Sequence, residues 1–378
     1  MRAGPHQVPR QGLRSPAAVL APSAPAPSAA PSGGKPLAAP SALGVGLIGV
    51  GRWGARLGAA LGRADGVTLA GCFARSEVAR DAAAQALGCR AAPTLEALLD
   101  DPAVEAVVVA TPNASHEALV TAAAERGLHV FVEKPIAPDE AAARRMAEAC
   151  ERAGVTLQVG HCFRRLGASR AAERLLRSGA LGRVVLAEAN FSLPGAFAPG
   201  TWRSSRETLP GGPMTQLGVH HADTLQAWLG PARRIQGSLG HVAADADIDD
   251  VAVAVLEHGS GARSVIACSY VSPKTYRIRL YGTRANLEVR TDMALWPEAE
   301  RMDAGTTITL ETRDGTRRIP FEVRDMLVDE LEAFGRCART GAAPETGAEE
   351  GVAALRVVLG VLASAGERSG AIDGGVVP

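Results

Sequence analysis

The spacing of apolar and polar positions divides the chain into two regimes. Between residues 43 and 160, short apolar runs alternate with segments of helical periodicity. The runs at 43–50, 67–73, 104–110, 129–132 and 155–160 read as strands, and 52–64, 77–87, 116–126 and 139–153 read as helices. Regular alternation of this kind predicts an α/β domain, a doubly wound parallel sheet covered on both faces, whose ligands bind at the carboxyl ends of the strands. After Gly160 the pattern becomes α+β. A basic helix at 169–177 is followed by strand patterns at 184–191, 235–242, 251–257, 264–271, 276–281, 286–290, 306–311 and 317–321, and helices are predicted at 214–229, 326–339 and 349–364. The short spacings between strands favour one open, mostly antiparallel sheet.

Residues 1–42 follow neither pattern. Pro, Ala and Ser repeat there with only isolated large apolar side chains, too few to offset the entropy of ordering, so a disordered tail is expected. Its prolines interrupt every apolar run that could serve as a secretory signal. Among 378 residues, 47% are apolar and Lys+Arg and Asp+Glu both number 40, so no net field favours nucleic acid or an anionic membrane. The expected partners are small molecules and further copies of the chain. The six cysteines are scattered without metal-ligand spacing, which predicts reduced thiols, a cytoplasmic protein and no metal site.

The chemistry concentrates at predicted strand ends. Gly49-Val50-Gly51-Arg52-Trp53-Gly54 follows the first strand and opens the first helix, the context in which G-x-G-x-x-G cradles a dinucleotide. Gly49 permits the turn, Gly51 lets backbone approach a pyrophosphate, and Gly54 lets helix and strand pack closely. The carboxylate that would hold ribose hydroxyls of NAD is expected about 20 residues further on. Ala74 stands near that place, followed by Arg75 and Ser76, a cation and a hydroxyl suited to a 2′-phosphate, so NADP is expected in preference to NAD. Glu77 falls in the first turn of the next helix, where an acid suits the dipole. Ala110-Thr111-Pro112-Asn113 closes another strand, with Asn113 placed to cap the helix that carries His116, for which a structural role is favoured. The next strand ends at Glu133-Lys134-Pro135, where a lysine held against a proline is the first candidate for proton transfer.

In this order and at these spacings, the motifs resemble the Gfo/Idh/MocA oxidoreductases, the family of glucose-fructose oxidoreductase and inositol dehydrogenase. The resemblance continues through Trp202-Arg203, Gly211-Gly212, Gly218-x-His220-x-x-Asp223 and Glu330-x-x-Ala333-Phe334, and covers about residues 43–373. It implies an NAD(P)-binding Rossmann domain at 43–160 and an α+β substrate and oligomerisation domain at 161–373, with a homodimer or homotetramer expected. It also implies a cofactor site formed by Gly49, Gly51, Arg52, Trp53, Gly54, Arg75, Ser76, Ala110, Thr111, Pro112, Asn113, His116, Glu133 and Lys134. The Lys134-Pro135 bond is expected to be cis, projecting the lysine inward.

The same resemblance puts a catalytic helix at 214–229, where Gln216, His220 and Asp223 at i, i+4 and i+7 share one face. It implies hydride transfer to or from a carbinol carbon of a sugar, cyclitol or related polyol, with Lys134 as acid/base and His220 assisting. Arg164 and Arg203 are candidate substrate contacts with Gln216 and His220, and Asp223 would either orient His220 or anchor the helix. One departure stands out: many relatives have Asp where this chain has Gln216, and an amide cannot ionise. Two other readings of the scaffold therefore stay open, a nucleotide-binding regulator without turnover and a glycosidase that recycles its bound NAD.

Overall fold

The computed structural model describes residues 42–195 and 203–366. Nearly all of the tail expected over 1–42, together with Trp202 and the stretch from 367 to the expected boundary at 373, lies outside the described residues. The first sheet is built from β1 (Leu43–Ile48), α1 (Arg52–Leu61), β2 (Val67–Phe73), α2 (Glu77–Leu87), β3 (Arg90–Ala91), α3 (Leu95–Leu99), β4 (Ala106–Val109), α4 (His116–Ala124), β5 (His129–Glu133), α5 (Glu140–Ala153) and β6 (Leu157–Gly160). Its strands are parallel in the order β3-β2-β1-β4-β5-β6, so the chain reverses direction across the sheet between β1 and β4. Every residue of β1 and β4 is buried, as continuous apolar runs require when helices cover both faces. The predicted α/β class is the one observed. The two-residue β3 and five-residue α3 were not predicted, being too short to show a period.

Local chemistry fixes several helix starts. The side chains of Ser76, Thr94 and Asp139 accept from the backbone N–H groups of Ala79, Ala97 and Ala142, so α2, α3 and α5 begin on capped turns. Asn113 does not play the capping part expected of it. It opens a short 3₁₀ turn, Asn113–Ser115, and neither that turn nor α4 has a side-chain cap.

The second half comprises α6 (Gly167–Arg177), β7 (Val184–Ser192), α7 (Val219–Leu229), β8 (Ala232–Gly240), β9 (Val251–His258), β10 (Arg263–Ser269), β11 (Thr275–Gly282), β12 (Asn286–Thr291), β13 (Thr306–Thr312), β14 (Gly315–Arg318), α8 (Met326–Thr340) and α9 (Ala348–Gly366). The sheet order is β14-β13-β12-β11-β7-β10-β9-β8, antiparallel except where β10 runs parallel to β7. The helix predicted over 214–229 is not uniform: Met214–Gly218 forms a π turn ahead of α7. The two halves share α8 and α9. Phe334 of α8 meets Phe131 of β5 edge-on, with ring centroids 5.9 Å apart. Helix α9 packs against α5, α7 and β8. Among the described residues no helix is long and apolar enough to cross a membrane.

Helix α6 has no cap of its own, since Leu166 precedes it. Buried Asp303 supplies one from afar, accepting from the N–H groups of Gly167 at 2.7 Å, Ala168 at 3.2 Å and Arg324 at 2.8 Å. Asp303→Ala should lower the unfolding free energy by about 2–3 kcal/mol, read as a lower urea midpoint at unchanged slope. A loss below about 1 kcal/mol would show that the N–H groups find other acceptors.

Candidate active site

The three glycines of the loop differ in the space around them. Gly49 has φ +94°, and a Cβ there would press on the Ala110 carbonyl oxygen at 2.6 Å. At Gly54 a Cβ would meet the Gly49 carbonyl oxygen at 1.9 Å, so this glycine is needed for the loop to close on α1. Gly51 differs, because nothing lies within 4 Å of its Cβ position. It is also the N-cap of α1, which has no side-chain cap and no acid in its first turn. The loop therefore presents free backbone N–H groups to open space, a cradle that fits a pyrophosphate.

The strand ends beside the loop carry the remaining first-half residues. Arg75 and Ser76 are exposed at the end of β2, and the Ser76 hydroxyl is engaged in capping α2. Ala110, Thr111 and Asn113 are half-buried and Pro112 is exposed, with the Ser115 hydroxyl donating to Thr111 Oγ1 at 2.7 Å. His116, expected among the cofactor contacts, is instead sealed from solvent. Its ring nitrogens lie 3.0 Å from the carbonyl oxygens of Ile136 and Thr111; burial keeps the ring neutral, so it donates to one of the two and packs between the end of β4 and the turn after Lys134. The Lys134-Pro135 peptide is cis.

Lys134 is half-buried, and its ammonium donates to the Gln216 carbonyl oxygen at 2.9 Å, across to the π turn. Burial holds this lysine below its ordinary pKa, against the opposing pull of the Glu133 carboxylate. Glu133 is buried; desolvation pushes it up to about 7, opposed by Lys134 and by the Trp53 indole, which donates to its Oε1 at 2.6 Å.

The second half supplies the opposite wall. From Gly211 to Leu225, Gln216 is the one residue that is not buried. The Tyr270 hydroxyl lies 2.8 Å from the Gln216 side-chain oxygen and 3.1 Å from the Gly212 carbonyl oxygen. A hydroxyl has one proton to give. Turning the amide satisfies both contacts: Tyr270 donates to Gly212 and accepts from Gln216 Nε2. His220 packs edge-on against Phe163 at 4.7 Å, and its Nδ1 is sealed without a partner. Burial, then the positive charge of Lys134, hold its pKa well below the usual histidine value, so the ring is neutral. Arg203 is half-buried within electrostatic reach of Tyr270 and Arg52, which is itself exposed at the glycine loop.

The geometry departs from substrate contact by Arg164 and, of the two roles expected for Asp223, fits helix anchoring rather than orientation of His220. Arg164, expected against substrate, clasps Asp223 through two bonds of 2.6 Å. Asp223 in turn takes Arg164 rather than His220 as its partner, with His161 Nδ1 at 3.9 Å. Arg164 and Asp223 also line a separate cleft of about 600 Å³ between α5, α7 and α9, to which Lys134, Gln216 and His220 do not contribute. Sequence reasoning missed His161 and Tyr270. His161 is buried, directly follows β6 and is pushed down to about 4 by desolvation, so its place at a strand end was a usable signal. Tyr270 gave none, because its pairing with Gln216 spans 54 positions.

Residues 43–161 match the oxidoreductase family with NAD-binding Rossmann fold, GFO_IDH_MocA, and residues 169–288 match the GFO/IDH/MocA C-terminal domain. The D-xylose 1-dehydrogenase (NADP(+)) 2 of Haloferax volcanii is 32% identical over 294 residues, covering 77% of this chain and 87% of the relative. The chain belongs to the Gfo/Idh/MocA family. As a member it is an NAD(P)-dependent oxidoreductase acting on CH–OH groups. The D-apiose dehydrogenase of Paraburkholderia graminis is 30% identical over 318 residues, covering 78% of this chain and 80% of the relative. A crystal structure from Desulfitobacterium hafniense, of an oxidoreductase proposed to be NADPH-dependent, aligns with TM-score 0.84 and 32% identity, over 87% of this chain and 96% of that one.

The two glycines make separable predictions. Gly51→Ala should leave thermal stability unchanged, since its space is open and its φ of −64° suits alanine, yet raise the NAD(P) Kd about tenfold or more by crowding the pyrophosphate. Gly54→Ala should destabilise the fold itself. An unchanged Kd in Gly51→Ala, measured by calorimetric titration, would place the cofactor elsewhere.

Proposed function

We propose that this family member transfers hydride between NADP(H) and a carbinol or ketone carbon of a sugar, cyclitol or related polyol, with Lys134 as the acid/base. What carries the reading is the Lys134 ammonium, half-buried at the carboxyl end of β5 beside Glu133 and bonded to the start of the 214–229 segment. The dehydrogenase relatives named above, which act on D-xylose and D-apiose, support the substrate class. The bound nicotinamide supplies the hydride acceptor or donor.

The chain's own residues have the rest of the work. Burial lowers the lysine's pKa towards values at which it can take a hydroxyl proton, and Glu133 limits how far it falls. His220, neutral in its aromatic surroundings, hydrogen-bonds a substrate hydroxyl rather than acting as a charged acid. With its amide turned towards Tyr270, Gln216 presents its side-chain oxygen to a neighbouring hydroxyl, a positioning role that needs no ionisation. Arg203 can approach the same substrate, whereas Arg164 acts from behind by holding Asp223 on α7. For the cofactor, exposed Arg75 and the absence of an acid at Ala74 favour a 2′-phosphate.

Lys134→Met should reduce kcat on the order of 10²- to 10⁴-fold while the NADP Kd stays within about twofold. Turnover close to wild type would remove Lys134 from the chemistry. Kinetics with both cofactors test the other half: kcat/KM is expected to be higher with NADP than with NAD, and Arg75→Ala should shrink that ratio. A higher kcat/KM with NAD in the unmodified protein would overturn the preference.

A further inference from the structure

Trp53 occupies the last variable position of the glycine loop, but its side chain is not confined to that loop. Strands β1 and β5 flank β4, so an indole that starts beside β1 and donates to Glu133 at the end of β5 spans the carboxyl end of β4. Glu133 Oε1 takes this N–H at 2.6 Å, and Oε2 takes the backbone N–H of Lys134 at 3.2 Å. Gly160, on the neighbouring strand, offers Oε1 no side chain, and a Cβ there would already crowd it at 2.8 Å. The indole N–H is thus the side-chain donor that this carboxylate has among the described contacts.

The indole is itself clamped. Trp296, in the segment between β12 and β13, stacks on Trp53 with centroids 5.8 Å apart and planes 22° apart. Arg56 of α1 lies over both rings, 5.4 Å and 5.5 Å from their centroids, and donates to the Pro297 carbonyl oxygen at 3.1 Å. An offset aromatic stack of this kind favours one ring orientation over the others. Trp296 also lies within 6.1 Å of Phe163, the ring that supports His220.

We propose that Trp53 is a positioning residue for proton transfer: its indole N–H, pinned by Trp296, holds the Glu133 carboxylate on the backbone N–H of Lys134 and so sets the charge environment in which that lysine works. The proposal rests on the assignment of Lys134 as acid/base. A carboxylate beside an ammonium favours the charged lysine, whereas a neutral carboxyl group removes that support. Removing the donor while keeping the ring raises the proton affinity of Glu133 and, through it, lowers that of Lys134. The other groups facing the pair are Cys162 and His161 beyond β6, Arg203, His220 of α7 and Glu330 of α8, and none of them changes in a Trp53→Phe variant.

Two measurements test this. In the cofactor-free protein, tryptophan fluorescence titrated with pH should show a transition near pH 7, where Glu133 ionises beside the indole. The transition should vanish in both Glu133→Gln and Trp53→Phe; its absence in wild type, or its persistence in Glu133→Gln, would overturn the contact. In the pH profile of kcat/KM for alcohol oxidation, Trp53→Phe should move the acid limb to lower pH by roughly half a unit or more. The same substitution in a Glu133→Gln background should produce no further shift. An unmoved limb, or an equal shift in both backgrounds, would refute action through Glu133. Normal turnover in Lys134→Met would sink the acid/base assignment and the catalytic half of the proposal, while the fluorescence titration would still decide whether Trp53 holds Glu133.

Discussion

The hydrogen bond from the Lys134 ammonium to the Gln216 carbonyl joins a strand of one half to a helical turn of the other, across 82 positions of sequence. Much of the site's architecture serves to make that bond possible. Lys134 must be delivered at a strand end, where the backbone can turn; the buried His116 ring sits against that turn, its single N–H donating to one of two carbonyl oxygens. On the other side, a π turn opens the helical ladder where Gln216 lies, a departure from regular geometry that recurs where helices carry functional groups. A lysine so placed is partly stripped of water and therefore less basic than one at the surface.

The surroundings of this bond are arranged so that few charges compete for it. Asp223, a carboxylate on the same helix, is fully engaged by the Arg164 fork and does not reach towards the lysine as a free anion. His220 is neutral among Phe163 and Phe191. The one carboxylate adjacent to Lys134 is Glu133, itself buried and held by Trp53. Gln216 fits this economy, because its amide brings no negative charge of its own to the lysine's surroundings.

Much of this was legible in the sequence, and what was not shares a physical cause. Alternating apolar runs and helical periods revealed the parallel sheet because each is a local pattern, and the glycine loop and Lys134 were legible because their chemistry lies within a few consecutive residues. The Arg164–Asp223 clasp, the Trp53–Glu133 bond and the Gln216–Tyr270 contact join residues 59, 80 and 54 positions apart, and no periodicity encodes such pairings. The π turn was invisible for a different reason: Met214–Gly218 has a composition equally suited to an ordinary helix. The cap expected at Asn113 failed because a 3₁₀ turn intervenes before α4.

The long-range cap on α6 bears on the order in which the chain acquires its structure. The N–H of Gly167 finds its acceptor in Asp303, 136 residues later, and Arg324 donates to the same carboxylate. During synthesis the first sheet is complete in sequence at Gly160, whereas the next helix emerges with its first turn lacking that acceptor until the strands up to β12 have been made. Closing so long a loop carries an entropic cost that must be met before the contact contributes. The second half is therefore built to consolidate late and as a unit, with the beginning of α6 waiting on the far end of its own sheet.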